Sequence, residues 1–468
     1  MVSILSPKAI RDHPPVALTT LFLGWKLCIV VIALASPGIG YDSSTSLLSS
    51  KGSPHQILLE TPTSLTSPWF KFVRWDAIYF THISQQGHVY EQEWAFGMGI
   101  STVLSWIAAL IANAFHFGDS QAATLTAGLV LSNLTHWLSV IQLFALATAL
   151  NNGERHSKST IPFCAAAFHI FSPAGIFLSA PYTESLFAFL SMSGFLGYVK
   201  AVQYFERGRG LSGCGSMILS GATFGAATFV RSNGILAGTP FLLEAILTLL
   251  AIGRRGLSFS RISRLLTAVL AGLLVAMGMV IPQFVAFREY CSGRSPGDSR
   301  PWCNLVIPSI FTWVQSHYWY VTRCLVCQNT DCSSRNVGPF RYWTLSNLPL
   351  FLLAAPTLWL LTYSAVEAVR NPGDLPWCRP SMSPGTASRC RKRVVMSLAL
   401  PQLALAVLAL TSYHVQIITR LSSGYPLWYI WLAAKTHDAP KRTAPILRWM
   451  VIYAMVQAGL YASFLPPA

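Results

Sequence analysis

Uncharged, mostly apolar runs recur along the whole chain at the length needed to cross a bilayer. Residues 265–287 are 23 consecutive positions without a charge, and 394–413 are 20 more. About 20 residues rising 1.5 Å each span the roughly 30 Å hydrocarbon layer, where backbone groups must bond within their own segment. Each such run therefore predicts a helix. Similar runs lie near 16–36, 97–116, 121–150, 161–180, 183–200, 212–231, 234–252, 345–366 and 445–464, with a shorter one at about 416–434. The predicted fold is an all-α polytopic membrane protein, a single integral membrane domain over 1–468 with about ten to twelve transmembrane helices.

Polar residues punctuate these runs. Ser132-Asn133-Leu134-Thr135-His136 interrupts 121–150 and leaves open one helix or two short ones. Ser172-Pro173 breaks 161–180, the stretch Ser179 to Ser185 separates two helices, and Arg231-Ser232-Asn233-Gly234 separates the next pair. Ionisable groups at membrane depth are costly and tend to line a cavity or a functional site. Glu184 could instead cap the helix that follows it, since acids favour helix N-termini. Arg231 has no such simple alternative.

Composition agrees: 53% of the 468 residues are hydrophobic and 11% charged, against about 25% charged in soluble domains. The net charge of +16 raises nucleic acid as a partner, but the basic residues gather in short loops beside apolar runs. Lys200, Arg207 and Arg209, then Arg254, Arg255, Arg261 and Arg264, then Arg389, Arg391, Lys392 and Arg393, then Lys435, Lys441 and Arg442 form such clusters. This is the positive-inside pattern of cytoplasmic loops, and no nucleic-acid partner is expected. It puts the turns near 180–184 and 231–234, and the stretch 288–344, on the lumenal side. The side of 151–159, with Arg155 and Lys158, stays open, because it depends on how many crossings 97–150 contains. The first run reads as an uncleaved helix rather than a signal peptide. Asn133-Leu134-Thr135 fits the glycosylation pattern but lies inside an apolar run, out of the transferase's reach.

Of the ten cysteines, Cys28, Cys164 and Cys214 sit in apolar runs. Cys291, Cys303, Cys324, Cys327 and Cys332 cluster in the long loop. Cys324-x2-Cys327-x4-Cys332 lacks the second half of a metal site, and a lumenal location favours disulfides over free thiols or zinc. Neither a metal nor a cofactor is expected.

Two aqueous segments are long enough to hold chemistry. The first loop, 37–96, opens Ser/Thr-rich and changes character at Trp69, where aromatic and polar residues interleave as in helices lying at the headgroups. It carries Asp76, Glu91 and Glu93, three of only 17 acids. Asp76 could pair with Arg74 or Lys71 as an interfacial anchor, or act as a catalytic carboxylate. The long loop, 288–344, is rich in aromatic residues, among them Trp302, Trp313, Tyr318, Trp319, Tyr342 and Trp343. These could stack on sugar or sit in an interfacial belt.

Several ordered motifs carry a resemblance. Arg74-Trp75-Asp76 with Phe80, then Tyr90-Glu91-Gln92-Glu93-Trp94-Ala95-Phe96, Ser172-Pro173-Ala174, and Ala180-Pro181-Tyr182-Thr183-Glu184-Ser185 begin it. Val230-Arg231-Ser232-Asn233-Gly234, Pro301-Trp302-Cys303, Trp313-Val314-Gln315 with Tyr318-Trp319, Arg341-Tyr342-Trp343, and Asn347-Leu348-Pro349 with Leu352 to Pro356 continue it. In order and spacing over about 290 residues they resemble the PIG-V family, GPI mannosyltransferases II. The chain departs from that pattern at Thr322 to Val337, an insertion with three cysteines, and at Gly97, where an aromatic residue is frequent.

The resemblance implies a GT-C-type helix bundle with lumenal loops carrying the site, in the endoplasmic-reticulum membrane. Dolichyl-phosphate mannose would be the donor and the mannosylated GPI glycolipid precursor the acceptor, receiving its second mannose in α-1,6 linkage. A small accessory membrane subunit is a further expected partner. A β-linked donor giving an α product requires inversion, hence one displacement with a single general base, assigned to Asp76. Glu91 and Glu93, with Arg74 and Trp75, would support the base or orient the acceptor. Arg231 and Arg341 would meet the leaving phosphate. Tyr182, Glu184, Asn233, Trp313, Gln315, Tyr318 and Trp319 would line the cavity. Three alternatives remain: another dolichol-dependent mannosyltransferase of the same fold, a transporter or scramblase with Arg231 and Glu184 along its path, and a non-catalytic scaffold.

Overall fold

The computed structural model describes residues 10, 12–37, 68–115, 120–150, 160–293, 300–319, 338–372, 384–463 and 465, with the backbone alone at 68, 120, 318–319 and 384–391. Cys324, Cys327 and Cys332, Arg155 and Lys158, the Ser/Thr-rich part of the first loop, and the side chains of Tyr318, Trp319, Arg389 and Arg391 lie outside that description.

The helices, in order, are α1 (Pro14–Ala35), α2 (Asp76–Gln86), α3 (Gly99–Phe115), α4 (Ser120–Leu150), α5 (Ile161–Ile170), α6 (Thr183–Glu206), α7 (Gly210–Val230) and α8 (Thr239–Arg255). There follow α9 (Phe259–Cys291), α10 (Ile310–Val314), α11 (Leu348–Arg370), α12 (Pro384–Thr411), α13 (Ile418–Leu421), α14 (Pro426–Asp438) and α15 (Pro440–Ala462). Among the described residues, eight helices are long and apolar enough to cross a membrane: α1, α4, α6, α7, α8 together with the 3-10 turn Ser232–Gly238 that leads into it, α9, α11 and α12. The chain is a multi-pass membrane protein. The remaining predicted spans fall short for visible reasons. α3 and α5 are 17 and 10 residues long, and α15 carries Lys441, Arg442 and Arg448.

Three expectations change. The stretch 120–150 is one helix of 31 residues, so the possibility of two short helices falls away. Its polar residues bond without breaking the ladder: Asn133 Nδ2 and Thr135 Oγ1 donate to the carbonyls four residues earlier, and Ser132 Oγ donates to Ala180 O at 2.6 Å. The run 161–180, in contrast, is helical only to Ile170. Proline at 173 removes a donor, and the chain passes through a 3-10 turn, Gly175–Leu178, before α6. The run 416–434 is not one continuous helix either, but short helical pieces with breaks at Ser422–Gly424 and Tyr425.

The irregular segment 172–182 is buried throughout, which is tolerable in a membrane only when other chain segments satisfy its backbone. Lys26, buried on α1, donates its ammonium to Leu178 O at 2.8 Å and Ser179 Oγ at 2.7 Å. Tyr429 OH donates to Ser172 Oγ at 2.9 Å. Gly175, at φ 47° and with Ala454 Cα 3.1 Å from where a Cβ would stand, lets the turn pass α15.

Helices α4, α6, α7 and α9 pack side by side. A Cβ at Gly221 of α7 would come within 2.6 Å of Ala271 Cα on α9, the small-residue contact by which membrane helices approach closely. Away from the loops that carry the site, Glu206, Glu244, Arg264 and Arg393 join α6, α8, α9 and α12. Arg264 pairs with Glu244 and lies 3.6 Å from Glu206, and Arg393 is 3.6 Å from Glu244 and 3.7 Å from Glu206. Arg264 and Arg393, read as loop charges, are therefore partly neutralised within the bundle.

Candidate active site

The segment before α2 is pinned by two buried tyrosines. Tyr182 OH donates to Arg74 O at 2.9 Å. The Tyr461 hydroxyl lies 2.9 Å from Phe72 O and 3.2 Å from Arg74 O, and it accepts from the Arg74 N–H at 3.1 Å. Between these anchors and α2, Trp75 takes φ 54° and ψ −127°. A positive φ is strained for a bulky residue and persists only where its surroundings impose it, often beside a functional group. The next residue, Asp76, opens α2, where the helix dipole favours a negative charge.

Asp76 is the exposed end of a chain of alternating charges. Its Oδ2 accepts from Arg420 Nη2 at 3.1 Å. Arg420 also donates to Glu184 Oε1 at 2.7 Å through Nε. Arg231 Nη1 reaches the same Glu184 oxygen at 2.9 Å and Thr183 Oγ1 at 2.6 Å. Arg231 Nε donates to Asn233 Oδ1 at 3.2 Å, and Asn233 Nδ2 reaches Tyr425 OH at 3.4 Å. The guanidinium of Arg420 stands 4.3 Å from the Phe177 ring centre and 4.9 Å from that of Tyr182, a cation–π seat. Exposure grades along the chain: the Glu184 side chain is 1% exposed, Arg231 15%, Arg420 17% and Asp76 38%. A sealed carboxylate thus holds two guanidiniums, and one of them holds a carboxylate open to water.

A second centre lies beside the first. Glu93 Oε1 is 2.7 Å from His82 Nδ1, and its Oε2 accepts from the N–H groups of Val89 and Tyr90 at 2.8 and 3.0 Å. His82 stands six residues after Asp76, roughly 9 Å along the axis of α2. Glu91 accepts from the indole N–H of buried Trp302 at 2.9 Å and of Trp313 at 3.4 Å, with Arg300 Nε 3.7 Å away. Glu93 thus braces the segment 88–96 against α2, and Glu91 ties the same segment to the aromatic stretch 300–314. A disulfide, Cys291–Cys303, joins the end of α9 to the turn Pro301–Asn304. His88, stacked on Trp94 at 4.1 Å with Nε2 3.3 Å from Gly97 O, is held below the ordinary histidine range by burial, against opposing pulls from that carbonyl and Glu93.

The structure therefore brings Arg74, Trp75, Asp76, Tyr182, Glu184, Arg231 and Asn233 into one connected site. Glu91, Glu93 and Trp313 form the neighbouring hub, and Gln315 lies half-buried just after α10. Arg341 is exposed on the turn 338–344, which packs on the end of α12 through Phe340 N–H to Thr411 O at 2.6 Å. Tyr182 is fully buried and serves as a strut and a ring under Arg420. Arg420 joins the set, and Lys26 braces the buried turn 178–179, without either having been singled out in the sequence. Each is an ionisable residue inside an apolar run, the same signal that marks Arg231.

The geometry can accept a proton at Asp76 and hold an anion with the guanidiniums behind it. Residues 27–468 match the family model described as Mannosyltransferase (PIG-V), which places the chain among the multi-pass membrane glycosyltransferases. It is 38% identical to the GPI mannosyltransferase 2 of Aspergillus oryzae over 100% of this chain and 99% of that one. It is 40% identical to the same-named protein of Chaetomium globosum, over 98% and 97%. The chain belongs to the mannosyltransferase (PIG-V) family. Among solved structures, the Archaeoglobus fulgidus oligosaccharyltransferase tethered to an acceptor peptide is matched at a TM-score of 0.46 and 12% identity. That match covers 96% of this chain and 56% of the other, little more than half its length.

Proposed function

We propose that this mannosyltransferase adds the second mannose, in α-1,6 linkage, to the mannosylated GPI precursor, taking it from dolichyl-phosphate mannose with inversion. The observation that carries the reading is Asp76. It is the half-exposed carboxylate at the head of α2, backed by an ion network and framed by a strained Trp75. The relatives named GPI mannosyltransferase 2 supply the acceptor class.

In this scheme Asp76 takes the proton from the acceptor's 6-hydroxyl as its oxygen attacks the anomeric carbon of the donor. The leaving group is a polyprenyl phosphate, and guanidiniums around Glu184, Arg231 among them, meet its growing charge. Such a leaving group departs without a divalent metal, so neither metal nor cofactor enters the scheme. Glu91 and Glu93 act at one remove, by fixing the loop over α2. An accessory subunit belongs to the reading through the family resemblance alone.

The active face is assigned to the lumen of the endoplasmic reticulum. The disulfide Cys291–Cys303 supports this, since such bonds persist in oxidising compartments, and Trp302 beside it bonds the loop next to Asp76. The test is mannose transfer in microsomes. Asp76→Asn and Asp76→Ala, at wild-type protein levels, should lose at least about a hundred-fold in rate, the scale of general-base contributions. Depletion of the protein should accumulate a GPI precursor bearing one mannose. Normal transfer by both variants would refute the base assignment, and accumulation of any other intermediate would refute the step.

A further inference from the structure

Arg420 reaches the site from far along the chain and touches both of its carboxylates, yet it bonds them unequally. Glu184 is enclosed, and its Oε1 also holds Arg231. Asp76, at the wet rim, holds Arg420 through a single contact at 3.1 Å. Two aromatic rings back the guanidinium. Its Nη1 has no hydrogen-bond partner among the described residues. An anion arriving from the aqueous side would therefore meet a planar fork with one unused donor, and a neighbour, Asp76, that is the easier of the two carboxylates to displace. Guanidinium forks match phosphate geometry and stay protonated throughout.

We propose that Arg420 receives the lipid-linked phosphate of the donor and, in doing so, releases Asp76 to act. This rests on the reading of Asp76 as base. The charge balance favours it. In the resting site, Asp76 and Glu184 are matched by Arg231 and Arg420. During transfer the acceptor oxygen forms its bond to the anomeric carbon, and its proton passes to Asp76, which becomes neutral. The bond from that carbon to the phosphate oxygen breaks, and its electron pair stays on the phosphate, which goes from one negative charge to two. Negative charge thus leaves one neighbour of Arg420 and appears on the other. A single guanidinium between them follows it without gaining or losing a proton.

The test uses full-length protein in detergent and two probes, citronellyl phosphate as a short polyprenyl phosphate and inorganic phosphate. Binding is measured by calorimetry beside mannose transfer. Arg420→Gln should lose about ten-fold or more in affinity for citronellyl phosphate, the scale of a lost charge-assisted bond. Arg420→Lys, which keeps the charge without the fork, should fall between Arg420→Gln and wild type. Asp76→Asn should bind citronellyl phosphate more tightly than wild type, because Arg420 is no longer shared. In the Arg420→Lys background that gain should shrink, which separates a shared guanidinium from the mere loss of a nearby negative charge. If Arg420→Gln fails to fold, the Asp76→Asn and Arg420→Lys arms decide. Unchanged affinity in both Arg420 variants, or weakened binding by Asp76→Asn, would overturn the proposal. Inorganic phosphate bound as tightly as the lipid phosphate would overturn the assignment to the donor. Loss of transfer in Asp76→Asn with unaltered binding in the Arg420 variants sinks Arg420 and spares the base. Full transfer by Asp76→Asn sinks the base.

Discussion

Tyr182 shows how a single hydroxyl can set the position of a residue it never touches. Its ring lies under Arg420 and its OH bonds Arg74 O, so it grips the network from one side and the backbone before Asp76 from the other. Tyr182→Phe keeps the ring and deletes the bond. The single Tyr461 proton, shared between Phe72 O at 2.9 Å and Arg74 O at 3.2 Å, still reaches the carbonyl, and the cost should be about 1 kcal/mol. Transfer should fall further than stability, because the strained Trp75 can then relax and carry Asp76 with it. The measurement is kcat beside the thermal midpoint of the solubilised protein. A drop in midpoint with full activity would show that the bond serves the fold alone. Arg420 illustrates why this scale is the hardest to read from sequence. Asp76, Glu184 and Arg231 are visible as isolated charges beside apolar runs, but the residue joining them stands 344 positions from Asp76. No local spacing records that meeting.

At the scale of elements, much more is legible. Run length gives the long helices, and Ser172-Pro173 foretells the break after α5. What the sequence hides is how a break at membrane depth is satisfied, since Lys26 comes from a different helix. Likewise, the polar run in α4 looks like an interruption because a list of residues does not say that its side chains bond backward to their own helix. The loop 88–97 has a further property. His88 is kept neutral by burial against Trp94, so its folded-state pKa lies below the unfolded value of about 6.5. The unfolded state takes the proton first, so the loop's contribution to stability is full above that value and is lost as pH falls through the folded one. Thermal midpoints measured from pH 7.5 to 5 should decline less steeply for His88→Gln, which can still donate to Gly97 O but does not titrate. Parallel curves for the two proteins would remove His88 as the source.

For the whole molecule, the decisive property is sidedness. The first residues of α6 hold Glu184, and the helix runs 24 residues to Glu206, roughly 36 Å and enough to cross the bilayer. The turn at Gly208–Arg209 therefore lies on the opposite face from Asp76, and the basic residues around it fit the cytoplasmic side. Gln86, exposed at the end of α2, shares the face of Asp76 and of the Cys291–Cys303 disulfide. Introduced cysteines can read this directly. In sealed microsomes, Arg209→Cys should react with a membrane-impermeant maleimide at once. Gln86→Cys should react only after the membrane is permeabilised, with the unsubstituted protein as the background for native thiols. Labelling of Gln86→Cys before permeabilisation would put Asp76 in the cytosol and overturn the proposed lumenal site. The same experiment separates sidedness from the geometry of the site. Reversed sidedness would unseat the lumenal assignment while leaving the ion network at Asp76 intact, because that network is fixed by helix packing and not by which compartment it faces.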